Sequence, residues 1–221
     1  VVAFAVLVSL LTLLAMLLPG LRRRRLAAGW FSRAFFKSAA IHFSVEGLER
    51  LPAAPCVLVA NHASYIDGVV AIAALPPDFA FVIKREMRRV PLASLLLRRL
   101  GSAFVERFDR HKGGSDTRRV WRLAATGQSL VFFPEGTFDE QRRIRPFLPG
   151  AFVTAERSRM PVVAAAIHGT REVLPSGSAR MRRHPIRFEV LGVVEADNAR
   201  QQSRELIARA LGEPLGEAPD P

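Results

Sequence analysis

Five short apolar runs in this chain each end directly in polar, chemistry-bearing residues, and helical stretches separate them. Residues 56–60 (CVLVA) run into Asn61, His62, Ala63 and Ser64, and residues 79–83 (FAFVI) into Lys84, Arg85 and Glu86. Residues 102–105 run into Glu106 and Arg107, residues 130–133 (LVFF) into Pro134, Glu135, Gly136 and Thr137, and residues 162–167 into His168, Gly169 and Thr170. Residues 68–75, 92–100, 117–126 and 147–157 read as helices. A further strand at 186–194 and a last helix at 199–211 complete the series. Strand, helix and strand in repetition specify an α/β domain with a mainly parallel central sheet flanked by helices. Ligands bind such sheets at the carboxyl ends of the strands. Five strand ends can therefore build one site from residues far apart in sequence.

The amino terminus follows a different rule. Residues 1–18 carry no charge and two hydroxyl side chains, Ser9 and Thr12. As a helix they would span roughly 27 Å, the lower edge of a bilayer crossing. Pro19 and Gly20 end the run, and four arginines, Arg22 to Arg25, come at once. A secretory signal has its positive charge ahead of the apolar stretch, whereas here the charge follows it. The arginines put that side in the cytoplasm and suit anionic headgroups at about 1 kcal/mol each. The alternative is a buried core helix. In residues 26–43, Trp30, Phe31, Phe35, Phe36 and Ile41 alternate with Arg33, Lys37 and His42, as in an amphipathic helix lying in the interface. A second helix packed on the domain fits the same pattern. The expected organisation is an N-terminal membrane-associated helical segment over 1–43 (apolar span 1–18, interfacial segment 26–43), the α/β domain over 44–212, and a flexible tail over 213–221.

Composition narrows the partners. The 221 residues hold 32 Lys+Arg against 20 Asp+Glu, a net charge of +12. That balance asks for a polyanion: nucleic acid, an anionic membrane face or a phosphorylated substrate. At 49% hydrophobic the chain is too apolar for disorder. One cysteine excludes a disulfide framework and a Cys-based zinc site, and the five histidines show no ligand spacing. Cys56, within an apolar strand, reads as a small buried hydrophobe.

His62 and Asp67 stand five apart, roughly 140° around a regular helix, so they meet only if His62 is on the loop and Asp67 in the first turn after it. The strand-to-helix junction supplies that. Asp67 would then hold one imidazole nitrogen and leave the other free as a base. A histidine merely bonded to a nearby carboxylate is the bland alternative. In 133–137, Pro134 stops the strand, Gly136 allows a tight turn or a close approach, and Glu135 and Thr137 offer a carboxylate and a hydroxyl; an ordinary turn with a solvated Glu has the same letters. Residues 84–122 carry 12 basic and 4 acidic side chains. Most of these form a solvated face, but Lys84 and Arg107 lie at strand ends and suit phosphate capture. Leu92, Leu95, Leu96 and Leu97 fit an acyl pocket or plain core.

These segments have a family look. Residues 61–67 (NHASYID) resemble the first sequence block of the glycerolipid acyltransferases, 101–107 (GSAFVER) the second, 133–137 (FPEGT) the third, and 160–163 with Ile167 and Gly169-Thr170-Arg171 the fourth. Lys84-Arg85-Glu86 resembles the Lys-x-Glu between the first two blocks. The resemblance runs from about 44 to 195. It implies a membrane enzyme that moves a fatty acyl group from acyl-CoA or acyl carrier protein to the free hydroxyl of 1-acyl-sn-glycerol-3-phosphate, giving phosphatidic acid. It implies no cofactor beyond the acyl donor, no metal, and a catalytic domain on the cytoplasmic face of the inner membrane. By the same resemblance His62 is the general base and Asp67 orients it. Lys84 and Arg107 bind the acceptor phosphate, Glu135, Gly136 and Thr137 line the acceptor site, and Asn61, Ser64 and Glu86 support them. This chain departs from the pattern at Ala164, where a proline is common, at Leu148, where a basic residue is common, and at Phe138 and Asp139, where Arg/Ser-like residues are usual. Those changes bear on the acceptor headgroup, so another lysophospholipid or a lyso-aminolipid stays open as acceptor. The rival classes are a basic nucleic-acid-binding module, for which the chain has no recognisable motif, and a catalytically silent membrane-peripheral scaffold.

Overall fold

The wholly apolar runs form the middle of a sheet because both of their faces are covered. The computed structural model describes residues 9, 10, 13, 17–105, 114–178 and 180–217. Its elements in chain order are α1 (Leu21–Ser38), β1 (Phe43–Glu46), β2 (Val57–Ala60), α2 (Asp67–Ala74), β3 (Phe79–Lys84), α3 (Pro91–Arg99), β4 (Ala103–Val105), α4 (Gly114–Ala124), β5 (Ser129–Phe132), α5 (Gly150–Ser158), β6 (Val162–His168), α6 (Thr170–Val173), β7 (Ile186–Val194) and α7 (Ala199–Leu211). The seven strands lie in the order β1-β7-β6-β2-β5-β3-β4. Every pairing is parallel except β6 with β7. The expected α/β domain with a mainly parallel sheet is therefore present.

β2 and β5 are buried at every residue, which their unbroken VLVA and SLVF runs anticipate. β7 instead alternates buried Ile186, Phe188 and Val190 with more open Arg187 and Glu189, the pattern of a strand covered on one face. A register shift between Ala164 and Ala165 sets Ala164 opposite Gly192 and Ala165 opposite Val190, so Leu191 is the extra residue of a β-bulge. One face of the sheet packs Phe36, Ile66, Val70, Ile167 and Phe188 beneath α1 and α2. The other packs Val57, Val59, Leu130, Val120, Ala155 and Ile207 beneath α4, α5 and α7. β1 was not anticipated. It has four residues, none fully buried, and its place comes from parallel pairing with β7, some 140 residues later.

α1 lies against α2. A Cβ at Gly29 would stand 3.1 Å from the Ile72 carbonyl oxygen, so a glycine lets the two backbones approach. Phe36 is fully buried from the same side, and truncating it would cost about 3–5 kcal/mol. The Arg22–Arg25 run, expected to act as one cationic cluster, splits here. Arg22 and Arg23 are exposed. Arg25 is buried and donates Nε–H to the Leu100 carbonyl and Nη1–H to that of Pro77, both at 2.9 Å; burial pulls its guanidinium down to about 10. The outer side of α1 shows Leu26, Trp30, Arg33 and Lys37. Among the described residues no helix is long and apolar enough to cross a membrane, and most of the 1–18 span lies outside them. Beyond Gly212, where a flexible tail was expected, the chain stays on the body. Ile144 N–H donates to the Pro214 carbonyl, and Gly216 N–H to that of Ile144, each at 2.9 Å. Residues 218–221 lie outside the described residues.

Candidate active site

β2 ends in Ala60, and α2 begins at Asp67. The six residues between turn the chain out over the carboxyl end of the sheet. Asn61 fixes the start of that turn: its Nδ2 donates to the Ile167 carbonyl at 3.0 Å and its Oδ1 accepts the Ile167 N–H at 2.7 Å. The side chain thus imitates a peptide and extends the β2–β6 pairing by one step. Ser64 is fully buried and its hydroxyl donates to the Leu174 carbonyl at 2.7 Å.

Asp67 is fully buried, and one oxygen carries all of its bonds. Oδ2 accepts the N–H of Ala63 at 2.7 Å, that of Ser64 at 2.8 Å, and His62 Nδ1 at 2.8 Å. Oδ1 has no hydrogen-bond partner. The spacing of five is bridged as the sequence required, with His62 on the loop and Asp67 at the helix start. An ionised Asp67 can only accept, so the proton of that pair sits on Nδ1 and Nε2 is left with its lone pair. Phe133 stacks on the imidazole at 4.7 Å between ring centres, and Phe138 meets it edge-on at 4.6 Å. Phe138 also meets Tyr65 edge-on at 4.8 Å. The ring is therefore held at a fixed angle between apolar walls, with 22% of its side chain open to solvent.

Glu135 was expected among the groups that line the acceptor. Its carboxylate is buried and turned to the main chain: Oε1 accepts the His62 N–H at 2.7 Å, and Oε2 the Arg145 N–H at 2.9 Å. Burial pushes the carboxyl up to about 7, against these two bonds, which favour the ionised form. Gly136 follows with φ +72°, a backbone conformation that favours glycine; a Cβ there would stand 2.8 Å from Leu148 Cδ1, the end of an exposed side chain that can turn aside. Thr137 is half-buried beside it. Lys84 ends β3, two strands from β2, roughly 10 Å across the sheet. Its Nζ is 3.3 Å from Glu86 Oε1. Arg107 lies outside the described residues. His168 is held by Glu189 at 3.1 Å, with Arg187 alongside, which makes it part of the β6–β7 pairing. Cys56 is buried, with its Sγ 3.8 Å from Ser129 Oγ, and burial pushes the thiol up. Leu96 packs with Ala28 and Leu100, whereas Leu92 and Leu95 are exposed.

The aromatic walls, and the two-amide grip of Glu135, were not foreseen. Phe138 was visible in the sequence only as a departure from the family pattern. The Glu135 contact joins residues 73 apart and leaves no local signal.

The family model described as Acyltransferase matches residues 42–168. A chloroplastic 1-acyl-sn-glycerol-3-phosphate acyltransferase of Brassica napus is 32% identical over 142 residues, which are 63% of this chain and 41% of that protein. A lyso-ornithine lipid O-acyltransferase of Pseudomonas aeruginosa is 33% identical over 161 residues, 71% of this chain and 58% of that one. The chain thus spans about two fifths to three fifths of these relatives' lengths. The crystal structure of PlsC, the 1-acyl-sn-glycerophosphate acyltransferase from Thermotoga maritima, has the same fold. It superposes with a TM-score of 0.75 at 22% identity, over 91% of this chain and 85% of the other.

Proposed function

The chain belongs to the glycerolipid acyltransferase family, and on that premise we propose that it transfers a fatty acyl group from acyl-CoA or acyl carrier protein to the free hydroxyl of 1-acyl-sn-glycerol-3-phosphate, forming phosphatidic acid. The observation that carries this reading is the His62 Nδ1 bond to a buried Asp67, which leaves the Nε2 lone pair available as a base. The acceptor hydroxyl gives its proton to Nε2 as its oxygen attacks the thioester carbonyl. The C–S bond then breaks, and the leaving thiolate takes the proton back from the imidazolium. Asp67 stabilises that imidazolium, and no acyl-enzyme is needed because a thiolate leaves readily. Phe133 and Phe138 keep water from the base, which favours transfer over hydrolysis. Lys84 and Arg107 hold the acceptor phosphate, with Thr137 beside the hydroxyl. Glu135 acts on the loop rather than on a substrate, since amides occupy both of its oxygens.

The outer face of α1 supports a site at the bilayer. Leu26 and Trp30 are exposed between Arg22 and Arg23 on one side and Arg33 and Lys37 on the other, and the helix has no acidic residue. An apolar centre with a cationic rim suits an anionic, cytoplasmic membrane surface. A second reading concerns the acceptor. Phe138 and Leu148 stand beside His62 and Gly136, and neither can bind a phosphate. With the likeness to the Pseudomonas enzyme, this favours a lyso-aminolipid as the alternative acceptor. Mass spectrometry of products from a mixed lysolipid pool with acyl-CoA decides. Phosphatidic acid is the expected product, an acylated aminolipid would move the assignment to the second acceptor, and no acylated product would refute the transferase.

A further inference from the structure

Arg204 lies on α7, outside the 42–168 stretch that matches the family model. Its half-buried guanidinium is spent on the main chain of two segments, the 144–145 loop and Gly216. Nη2 donates to the Ile144 carbonyl at 2.9 Å and to that of Gly216, and Nε donates to the Arg145 carbonyl at 3.1 Å. The Ile144 carbonyl and the Arg145 N–H belong to the same peptide group. That N–H is the one that Glu135 Oε2 accepts. An unbroken series of donors and acceptors therefore runs from the Arg204 guanidinium through the 144–145 peptide and the Glu135 carboxylate to the His62 N–H. A cation on the carbonyl end of a peptide polarises its N–H end, and such chains strengthen each other in a low-dielectric interior. Ile144 is itself 1% exposed; its N–H donates to the Pro214 carbonyl, and its own carbonyl accepts the Gly216 N–H as well as the Arg204 guanidinium, so the peptide is held in one orientation.

On the reading of this site as an acyltransferase centre, we propose that Arg204 is a positioning residue: through the Ile144–Arg145 peptide it fixes Glu135, and through Glu135 the backbone of the catalytic His62. The charged groups that bear on this path are few. Asp67 and His62 face Glu135 from the β2–α2 loop, and Arg204 faces it from α7 with Arg200 and Glu205 as its own neighbours. The Arg145 side chain turns aside to Asp139 at 2.6 Å. Burial raises Glu135 toward neutrality, its two amide bonds work against that, and its charge in turn favours the charged form of Arg204.

The test compares Arg204→Gln and Arg204→Lys with the full chain in detergent, alone and combined with Glu135→Gln. Arg204→Gln is expected to lower kcat about tenfold, the equivalent of 1.4 kcal/mol, with both KM values within twofold of wild type. Arg204→Lys, which keeps the charge but bonds fewer carbonyls, is expected between the two. In the Glu135→Gln background, Arg204→Gln is expected to change kcat by less than twofold, because the path is already cut. Amide hydrogen exchange of the peptide that contains His62 supplies a readout independent of turnover, and it should speed up in Arg204→Gln while peptides from β5 and β6 do not change. Wild-type kcat in Arg204→Gln, losses that multiply in the double variant, a rise in KM alone, or unchanged exchange at His62 would each overturn the proposal. If Arg204→Gln does not fold, Arg204→Lys serves the same comparison. Absence of transfer by the wild-type protein would refute the acyltransferase reading instead, and the exchange measurement would still decide whether Arg204 governs the His62 loop.

Discussion

Replacing Asp67 with Asn separates two roles that are usually removed together. In a triad whose carboxylate bonds the imidazole by one oxygen and other groups by the second, an amide reverses the pattern and the histidine takes the wrong tautomer, at a cost on the order of 10⁴ in kcat. Here a single oxygen, Oδ2, serves Ala63, Ser64 and His62, and Oδ1 has no partner. An asparagine with its carbonyl in the Oδ2 position keeps all three bonds and the same tautomer. Three donors that converge within 2.8 Å of one point select that orientation over an N–H₂ group. What it loses is the charge that stabilises the imidazolium and strengthens the bonds. A hydrogen bond to a charged partner contributes about 1.5–3 kcal/mol and a neutral one about 0.5–1.5. The difference, about 1–2 kcal/mol on the step that charges His62, predicts a fall in kcat of roughly 5–30-fold. The assay is thiol release from acyl-CoA at saturating lysophosphatidic acid, followed with a thiol reagent. A folded Asp67→Asn with wild-type kcat would refute the electrostatic role. A loss near 10⁴ would refute the single-oxygen geometry.

Three further outcomes follow from the same site. Glu135→Gln retains one amide bond and turns an N–H₂ group toward the other. An unmet buried donor costs about 1–3 kcal/mol, so Tm and kcat should both fall. With burial pushing the wild-type carboxyl up to about 7, both amides are held above that pH and one of the two bonds is lost as pH falls through it; this contribution to the acid limb of the kcat profile should vanish in Glu135→Gln. Phe138→Ala removes the edge contacts on His62 and Tyr65, each worth about 0.5–1.5 kcal/mol. It should raise the ratio of acyl-CoA hydrolysis to transfer several-fold, read as fatty acid against acylated lipid by mass spectrometry. Trp30→Ala removes the apolar centre of the α1 outer face. At about 1–2 kcal/mol of lost burial, partition onto vesicles with anionic lipid should weaken roughly 5–30-fold in a sedimentation assay, with kcat in detergent unchanged.

The legible parts of this fold are those whose signal is local. β2, β5 and β6 read as strands because burial on both faces leaves their interiors without polar residues, Ser129 and His168 standing only at the ends. β7 and α7 read correctly to the residue because one-sided burial writes period 2 or period 3.6 into the letters. The His62–Asp67 pair was legible for a geometric reason, since five residues across a strand-to-helix junction leave few other ways to bond. β1 was not legible, because four half-buried residues carry too short a pattern and take their place from β7. The inward turn of Arg25 was hidden in a run of identical arginines. It depends on the carbonyls of Pro77 and Leu100, 52 and 75 residues away. Glu135 presented a carboxylate at a strand end, and the letters could not say whether it faced a substrate or two amides. The distinction rests on Arg145, a main-chain donor on a loop that only the later part of the chain holds in place.

The claim on which the rest depends is that the His62 Nε2 lone pair removes the proton of the lipid hydroxyl. Its most direct test is His62→Ala, checked for an unchanged melting curve and assayed with acyl-CoA and lysophosphatidic acid by mass spectrometry of the lipid product. Wild-type protein should form phosphatidic acid and the variant none above the rate without protein. Product formed by the folded variant at a rate comparable to wild type would contradict the account.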